Sequence, residues 1–197
     1  MQMLRKMTIV AFAALPLVCG AEDSASKSGD GGMELSDVIA NYAKRSNQKF
    51  IVDPRVRAGG GLVGIDANKI TYEQLLALAS VHGFIVVKSG DVTVVAPDAS
   101  ARQQPTPVYT NANFKALDDE WVTLLLAPKN ACSGQLVPVL RPLMPQAAHM
   151  AADIQSNTLI LSDRAVNLRR IAGMIEKLDA GAPAGRRCQD MEFGAKK

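Results

Sequence analysis

Histidine, aromatic side chains and net charge are all scarce in this sequence, and each shortage removes a class of function. Among 197 residues only His82 and His149 are histidines. No cysteine or carboxylate stands at ligand spacing around either one. A metal centre built on three protein ligands is therefore not expected, nor is histidine catalysis. Aromatics make up 5% of the chain and Trp121 is the single tryptophan, so any core must be aliphatic. A formal net charge of +3 is too small for a nucleic-acid footprint. The longest apolar run, from Met7 to Val18, is too short to cross a bilayer as a helix.

That apolar run has another use. Arg5 and Lys6 precede it, and Val18-Cys19-Gly20-Ala21 follows with small residues ahead of Glu22. This is the order of a secretory signal peptide over residues 1–21, cleaved after Gly20 or Ala21. A lipid-modified cysteine normally follows a small residue, whereas Val18 precedes Cys19. Without Arg5 and Lys6 the exported chain is nearly neutral. It keeps two cysteines, Cys132 and Cys188. In an oxidising compartment the pair can close a disulfide, which would tie the tail to the second half of the chain; two free thiols are the alternative.

Residues 22–32 are small and polar and read as a flexible leader. A first module is expected over 33–98. There Ser36 can cap a helix with Val38, Ile39, Tyr42 and Ala43 on one face, stopped at Asn47. Phe50-Ile51-Val52 reads as a strand, Gly59-Gly60-Gly61 as a turn and Leu62 to Ile65 as a short strand. Thr71-Tyr72-Glu73-Gln74 is a capping box, with Ile70 and Leu75 at the staple positions. Gly83 suits a left-handed position after that helix. Phe84 to Lys88 and Val92 to Ala96 read as a hairpin turning at Ser89-Gly90-Asp91.

Prolines 97, 105 and 107 mark a linker over 99–118. A second module is expected over 119–180, in the order β-α-β-β-α. Its parts are a strand from Trp121 to Ala127, a short helix with Leu136, Val139, Leu140 and Leu143 disturbed by Pro138 and Pro142, strands from Met150 to Ile154 and Thr158 to Leu161, and a helix from Arg164 to Leu178. Ser162 or Asp163 can cap the last helix and Gly181 can end it. Residues 181–197 show no periodicity and read as a disordered tail.

Val38-Ile39, Phe50-Ile51-Val52-Asp53-Pro54-Arg55-Val56-Arg57, Val81-His82-Gly83-Phe84 and Val94-Val95-Ala96-Pro97-Asp98 resemble the first periplasmic N-domain of type II secretion secretins. Pro128-Lys129-Asn130-Ala131, Leu136 to Leu143 and, above all, Ser156-Asn157-Thr158-Leu159-Ile160-Leu161-Ser162-Asp163-Arg164 resemble the second N-domain. The resemblance implies an α/β (α+β) fold of two small modules, each with two helices on a small mixed sheet, the second KH-like. It implies a non-enzymatic protein-binding part of a secretion apparatus. Its partners would be secretion-system proteins: the inner-membrane clamp component, the full-length secretin and further copies in a ring. It implies a periplasmic location beside the outer-membrane complex, and no cofactor or small-molecule substrate. The sequence has no room for the family's C-terminal barrel, so the chain is not expected to form the pore itself. The family's opening strand would fall on Gly29 to Met33, a poor strand, so the first module is expected to lack an edge strand.

Other readings are weaker. Asp118-Asp119-Glu120 could be a carboxylate cluster, but no basic or nucleophilic partner accompanies it, and a solvated linker end is the simpler account. The triple glycine lacks the Gly-Lys-Ser/Thr of a phosphate cradle. The KH-like module lacks the Gly-x-x-Gly loop that holds RNA. Arg169 and Arg170 read as solvated helix-surface residues. A signalling domain of the kind that precedes some TonB-dependent receptors would resemble the first module but would not carry the 156–164 motif. A periplasmic enzyme would need a polar constellation, and none is visible.

Overall fold

The computed structural model describes residues 33–57, 59, 62–184 and 188. The expected signal peptide, the leader and most of the tail lie outside the described residues. The described residues all belong to one compact unit.

Helix α1 spans Leu35–Ser46 and buries Leu35, Val38, Ile39 and Tyr42. Its N-cap is Glu34, not Ser36, whose hydroxyl instead donates to the Glu34 carboxylate at 3.3 Å. Asn47 stops the helix at φ 54°, with its N–H donating to the Ala43 carbonyl. Strand β1 covers Lys49–Val52. Helix α2, Tyr72–Val81, starts on the complete capping box: Gln74 N–H donates to Thr71 Oγ1 at 3.2 Å and Thr71 N–H to Gln74 Oε1 at 3.0 Å. Gly83 then takes φ +75°, where a side chain would be strained. Strands β2 (Phe84–Ser89) and β3 (Val92–Pro97) form the hairpin, with Gly90 at φ +63°.

The first sheet has the order β1-β3-β2, with β1 parallel and β2 antiparallel to β3. Both helices share its core, centred on Leu35, Val38, Ile39, Ile70, Leu75, Ala79 and Val95. Arg45 fastens α1 to the approach of α2 by donating to the carbonyls of Asn68 and Ile70.

Two expectations for this half are corrected. Residues 62–65 form no strand: Val63 is 92% exposed, and Gly64 takes φ +74°, which breaks an extended run. The place of the family's opening strand, Gly29 to Met33, lies almost wholly outside the described residues; beside it Glu34 makes an isolated antiparallel bridge to Gly59. The segment over 99–118 is no loose linker. Its start is the 3-10 turn Asp98–Gln103, which buries Ala101. Its next part is strand β4, Val108–Tyr109, which pairs parallel to β5. Proline at 105 and 107 prevents a helix here but tolerates an edge strand.

The second half adds β5 (Trp121–Leu126), α3 (Ser133–Leu140), β6 (His149–Asp153), β7 (Thr158–Arg164) and α4 (Ala165–Gly181). Its mixed sheet runs β4-β5-β7-β6. Its separate core gathers Val122, Leu124, Leu136, Leu140, Leu159, Leu161, Leu168 and Ile171. Helix α3 is short and passes into a 3-10 turn at Arg141–Leu143, where Pro142 removes a helical N–H. Helix α4 is not capped by Ser162 or Asp163: β7 continues through Arg164, which is the N-cap and makes no side-chain capping bond. Gly181 is the last residue of α4 rather than a stop beyond it. The α/β class, two helices on a small mixed sheet in each half, agrees with the sequence.

A third apolar cluster joins the halves. Trp121 packs with Ile85, Val87 and Ala101, each nearly inaccessible to solvent. Among the described residues no helix is long and apolar enough to cross a membrane.

Losing the α2 cap should be measurable. Thr71→Ala is expected to lower the unfolding free energy by about 1 kcal/mol and Thr71→Gly by only a few tenths, read from urea midpoints.

Candidate protein-binding surfaces

Polar residues in the second half serve mostly to hold loops. Residues 128–133 connect β5 to α3, and this loop is tied at several points. Asp179, near the end of α4, accepts from the N–H groups of Lys129 (3.0 Å), Asn130 (2.7 Å) and Ala131 (2.8 Å). A carboxylate at a helix C-terminus opposes the macrodipole; here three backbone donors offset that. Burial alone would push its carboxyl up, yet those N–H groups and the Lys129 charge together hold it below the ordinary carboxylate range.

Asn157 binds the same loop from the β6–β7 turn. Its φ of 52° lets the amide reach inward. Its Nδ2 donates to the carbonyls of Pro128 (2.8 Å) and Ala131 (3.0 Å), and its Oδ1 accepts from Ser133 N–H at 2.8 Å. Cys132 lies at this point, its Sγ 2.04 Å from that of Cys188, and both residues are 1% exposed.

The junction between the halves is polar around Trp121. The indole N–H donates to Ser162 Oγ at 2.9 Å. The Arg164 guanidinium lies 5.6 Å from the indole centroid, donates to the Ser80 carbonyl at 3.3 Å, and stands 3.9 Å from both Asp98 and Asp119. Asp163, wholly buried, accepts from Arg164 N–H at 2.7 Å and from the Asn167 amide. Burial pushes its carboxyl above the ordinary range, only partly offset by those bonds and the nearby arginines.

The residues weighed from sequence as chemistry do not converge. Asp118 accepts from Arg169 at 2.7 Å, Asp119 faces Arg164, and Glu120 accepts from Leu117 N–H at 3.1 Å. Each member of the acidic run thus has a partner, while Asp118 stays largely solvated, with 71% of its side chain exposed. Arg169 and Arg170 are likewise partnered rather than free. Arg169 also binds the Ala116 carbonyl and lies 5.2 Å from the Phe114 centroid; Arg170 donates to Asn167 at 2.9 Å and to the Leu143 carbonyl at 2.7 Å. His82 caps the end of α2 and His149 opens β6. Among the described residues no group of three His, Cys, Asp or Glu could hold a metal. Of the triple glycine, Gly59 makes its bridge to Glu34, and Gly60 and Gly61 lie outside the described residues.

What the molecule offers outward is backbone and apolar surface. Among the described residues no strand pairs with the outer edge of β1, on which Ile51 is 57% exposed. Just after β1, Asp53 is held to a pKa of about 2, chiefly by the Arg55 guanidinium, which binds both carboxylate oxygens at 2.8 and 2.9 Å. Val139 and Leu178 border an apolar groove of about 270 Å³ between α3 and the end of α4.

Sequence reasoning missed Arg164, Asp179 and Phe114 as organising residues. An acidic residue at the end of a predicted helix was the one available signal, for Asp179.

A two-part α/β unit with this turn motif fits one class, the secretin N-domain, and similarity to known proteins bears on it directly. Residues 123–184 match the family model described as the bacterial type II/III secretion system short domain. Secretin XcpQ of Pseudomonas aeruginosa is 30% identical over 148 residues, covering 74% of this chain and 22% of that protein. Secretin PulD of Klebsiella pneumoniae is 29% identical over 178 residues, covering 88% of this chain and 27% of that protein. The solved Klebsiella pneumoniae type II secretion system outer membrane complex of PulD, PulS and the PulC HR domain superposes with a TM-score of 0.65 at 26% identity, over 77% of this chain and 26% of that one. The chain belongs to the type II secretion secretins and matches them over N-domain sequence. It spans about a quarter of the length of these relatives. They are protein-transport components, not enzymes.

The two aspartates should move stability in opposite directions with pH. Asp179, held low, contributes fully above the ordinary carboxylate pKa and loses its contribution as pH falls through its folded value. Asp179→Asn should therefore cost about 1–2 kcal/mol at pH 7, with the gap to wild type shrinking in acid. Asp163, held high, carries a cost that is full above its folded pKa and vanishes as pH falls toward the ordinary value. Asp163→Asn should leave stability at pH 7 unchanged or raised. Urea unfolding of both variants across pH 3–8 checks the two signs.

Proposed function

We propose that this chain serves as a periplasmic protein-docking part of a type II secretion apparatus and binds other secretion proteins through its sheet edge and helix faces. Its two domains are taken as 33–98 and 119–180. One observation carries the reading: among the described residues no strand pairs with the outer edge of β1, on which Ile51 is 57% exposed. An open edge can accept a partner's strand, main chain giving affinity and flanking side chains specificity.

The partners follow from likeness. The PulD complex named above contains a PulC domain, so an inner-membrane clamp component of that kind is the first candidate here; a full-length secretin and further copies of this chain in a ring are the others. Residues 1–21 act as the export signal, and the exported chain sits in the periplasm beside the outer-membrane complex.

Two measurements test this. Calorimetric titration of the full exported chain with the periplasmic domain of the PulC-type component should give saturable binding. Ile51→Arg, at an exposed site, should weaken it at least tenfold without moving the urea midpoint. No binding, or binding indifferent to Ile51→Arg, sinks the docking role or its assignment to this edge respectively. Separately, mass spectrometry of the protein from a periplasmic extract should show an N-terminus at Ala21 or Glu22; an intact Met1 in the cytoplasm would remove the export reading.

A further inference from the structure

The 128–133 loop is held by more than its hydrogen bonds. Asp179 takes its first N–H groups and Asn157 takes two of its carbonyls and the N–H of Ser133. Cys132 is the N-cap of α3 but has no side-chain capping bond, so its sulfur is free for another task. That sulfur meets Cys188, 56 residues later, at 1% exposure on both sides. The surroundings leave no slack: a Cβ added to Gly134 would stand 2.8 Å from Ile154 Cδ1 and 3.7 Å from Cys132 Sγ. The ring closed by this pair contains α3, β6, β7 and α4.

We propose that Cys132 and Cys188 form an oxidation-dependent clamp, which locks the 128–133 loop against Cys188. With the bond made, residue 188 is held beside the β6–β7 turn, at the start of α3. Formation takes two thiols to one disulfide. Two protons and two electrons pass to a disulfide-bearing oxidant, which is itself reduced to two thiols. One thiolate attacks the oxidant's sulfur, and the second displaces the mixed disulfide. Export to an oxidising compartment supplies such oxidants, but the bond depends only on the two buried sulfurs, so it can be examined outside any cell.

The full chain is equilibrated with oxidised or reduced glutathione, blocked with N-ethylmaleimide and digested with trypsin without reduction. Under oxidised glutathione the peptide with Cys132 should be joined to that with Cys188, and Cys19, where retained, should be alkylated. Amide hydrogen exchange then reads the consequence. Reduction should speed exchange at Asn130, Ala131 and Ser133 at least tenfold and leave β5 and β7 unchanged. Cys188→Ser should reproduce the reduced pattern under both conditions. Absence of the joined peptide overturns the bond. Unchanged exchange over 130–133 overturns its role as a clamp. Loss of protection throughout β5 and β7 also overturns the clamp, since the bond would then be a requirement of the whole fold.

Discussion

The architecture depends on one buried indole. Trp121 opens β5, yet its ring packs on Ile85 and Val87 of the other sheet and on Ala101 of the connecting turn. Two units of this size are marginal when isolated, because too little of their surface can be buried. A shared apolar contact offsets that, and fully burying a large apolar side chain contributes about 1.5–3 kcal/mol. Polar groups around the ring then fix its angle. Ser162 satisfies the indole N–H, and Arg164 lies near the ring while reaching the end of α2. The arginine sits in the motif that the sequence suggested was only a strand end and helix start. Its other role is to bind the two halves together.

The elements with local signals were legible. The Thr71–Gln74 box, the Gly83 stop, the hairpin at Gly90 and the left-handed Asn157 each announce themselves through side-chain or backbone chemistry within four residues. What failed was non-local. Leu62 to Ile65 has strand-like residues, but no neighbouring strand accepts them. Prolines at 105 and 107 suggested a linker, whereas Phe114 stacks on Tyr109 with centroids 4.8 Å apart and is covered by Arg169 from α4, 55 residues later in the chain. Such a contact leaves no trace in the periodicity of either segment. The N-cap errors at Ser36 and at Ser162 or Asp163 have one cause: cap propensity names good residues, but pairing with the preceding segment decides where the strand or bridge ends.

The surfaces were harder to read than the fold. A sheet edge is defined by the strand that does not come, and no single residue encodes it. The acidic run and the arginine pair looked expendable because charges on a surface usually are; yet Asp118 with Arg169 ties the connecting segment to α4, and Asp119 faces Arg164 at the junction. The family likeness supplied the expectation of docking, and the physical content lies in the outer edge of β1, to which no described strand is paired.

The parallel pairing of β4 with β5 bears on how the molecule can be dissected. Val108 and Tyr109 lie in register with Thr123 and Leu124, so sequence that looks like a spacer is part of the second sheet. A fragment begun at residue 119 would bare a flank of β5 and remove Phe114 from its core. A cut between Gln103 and Val108 would keep β4 with the second sheet and leave Ala101 with the first half, at the cost of exposing Trp121.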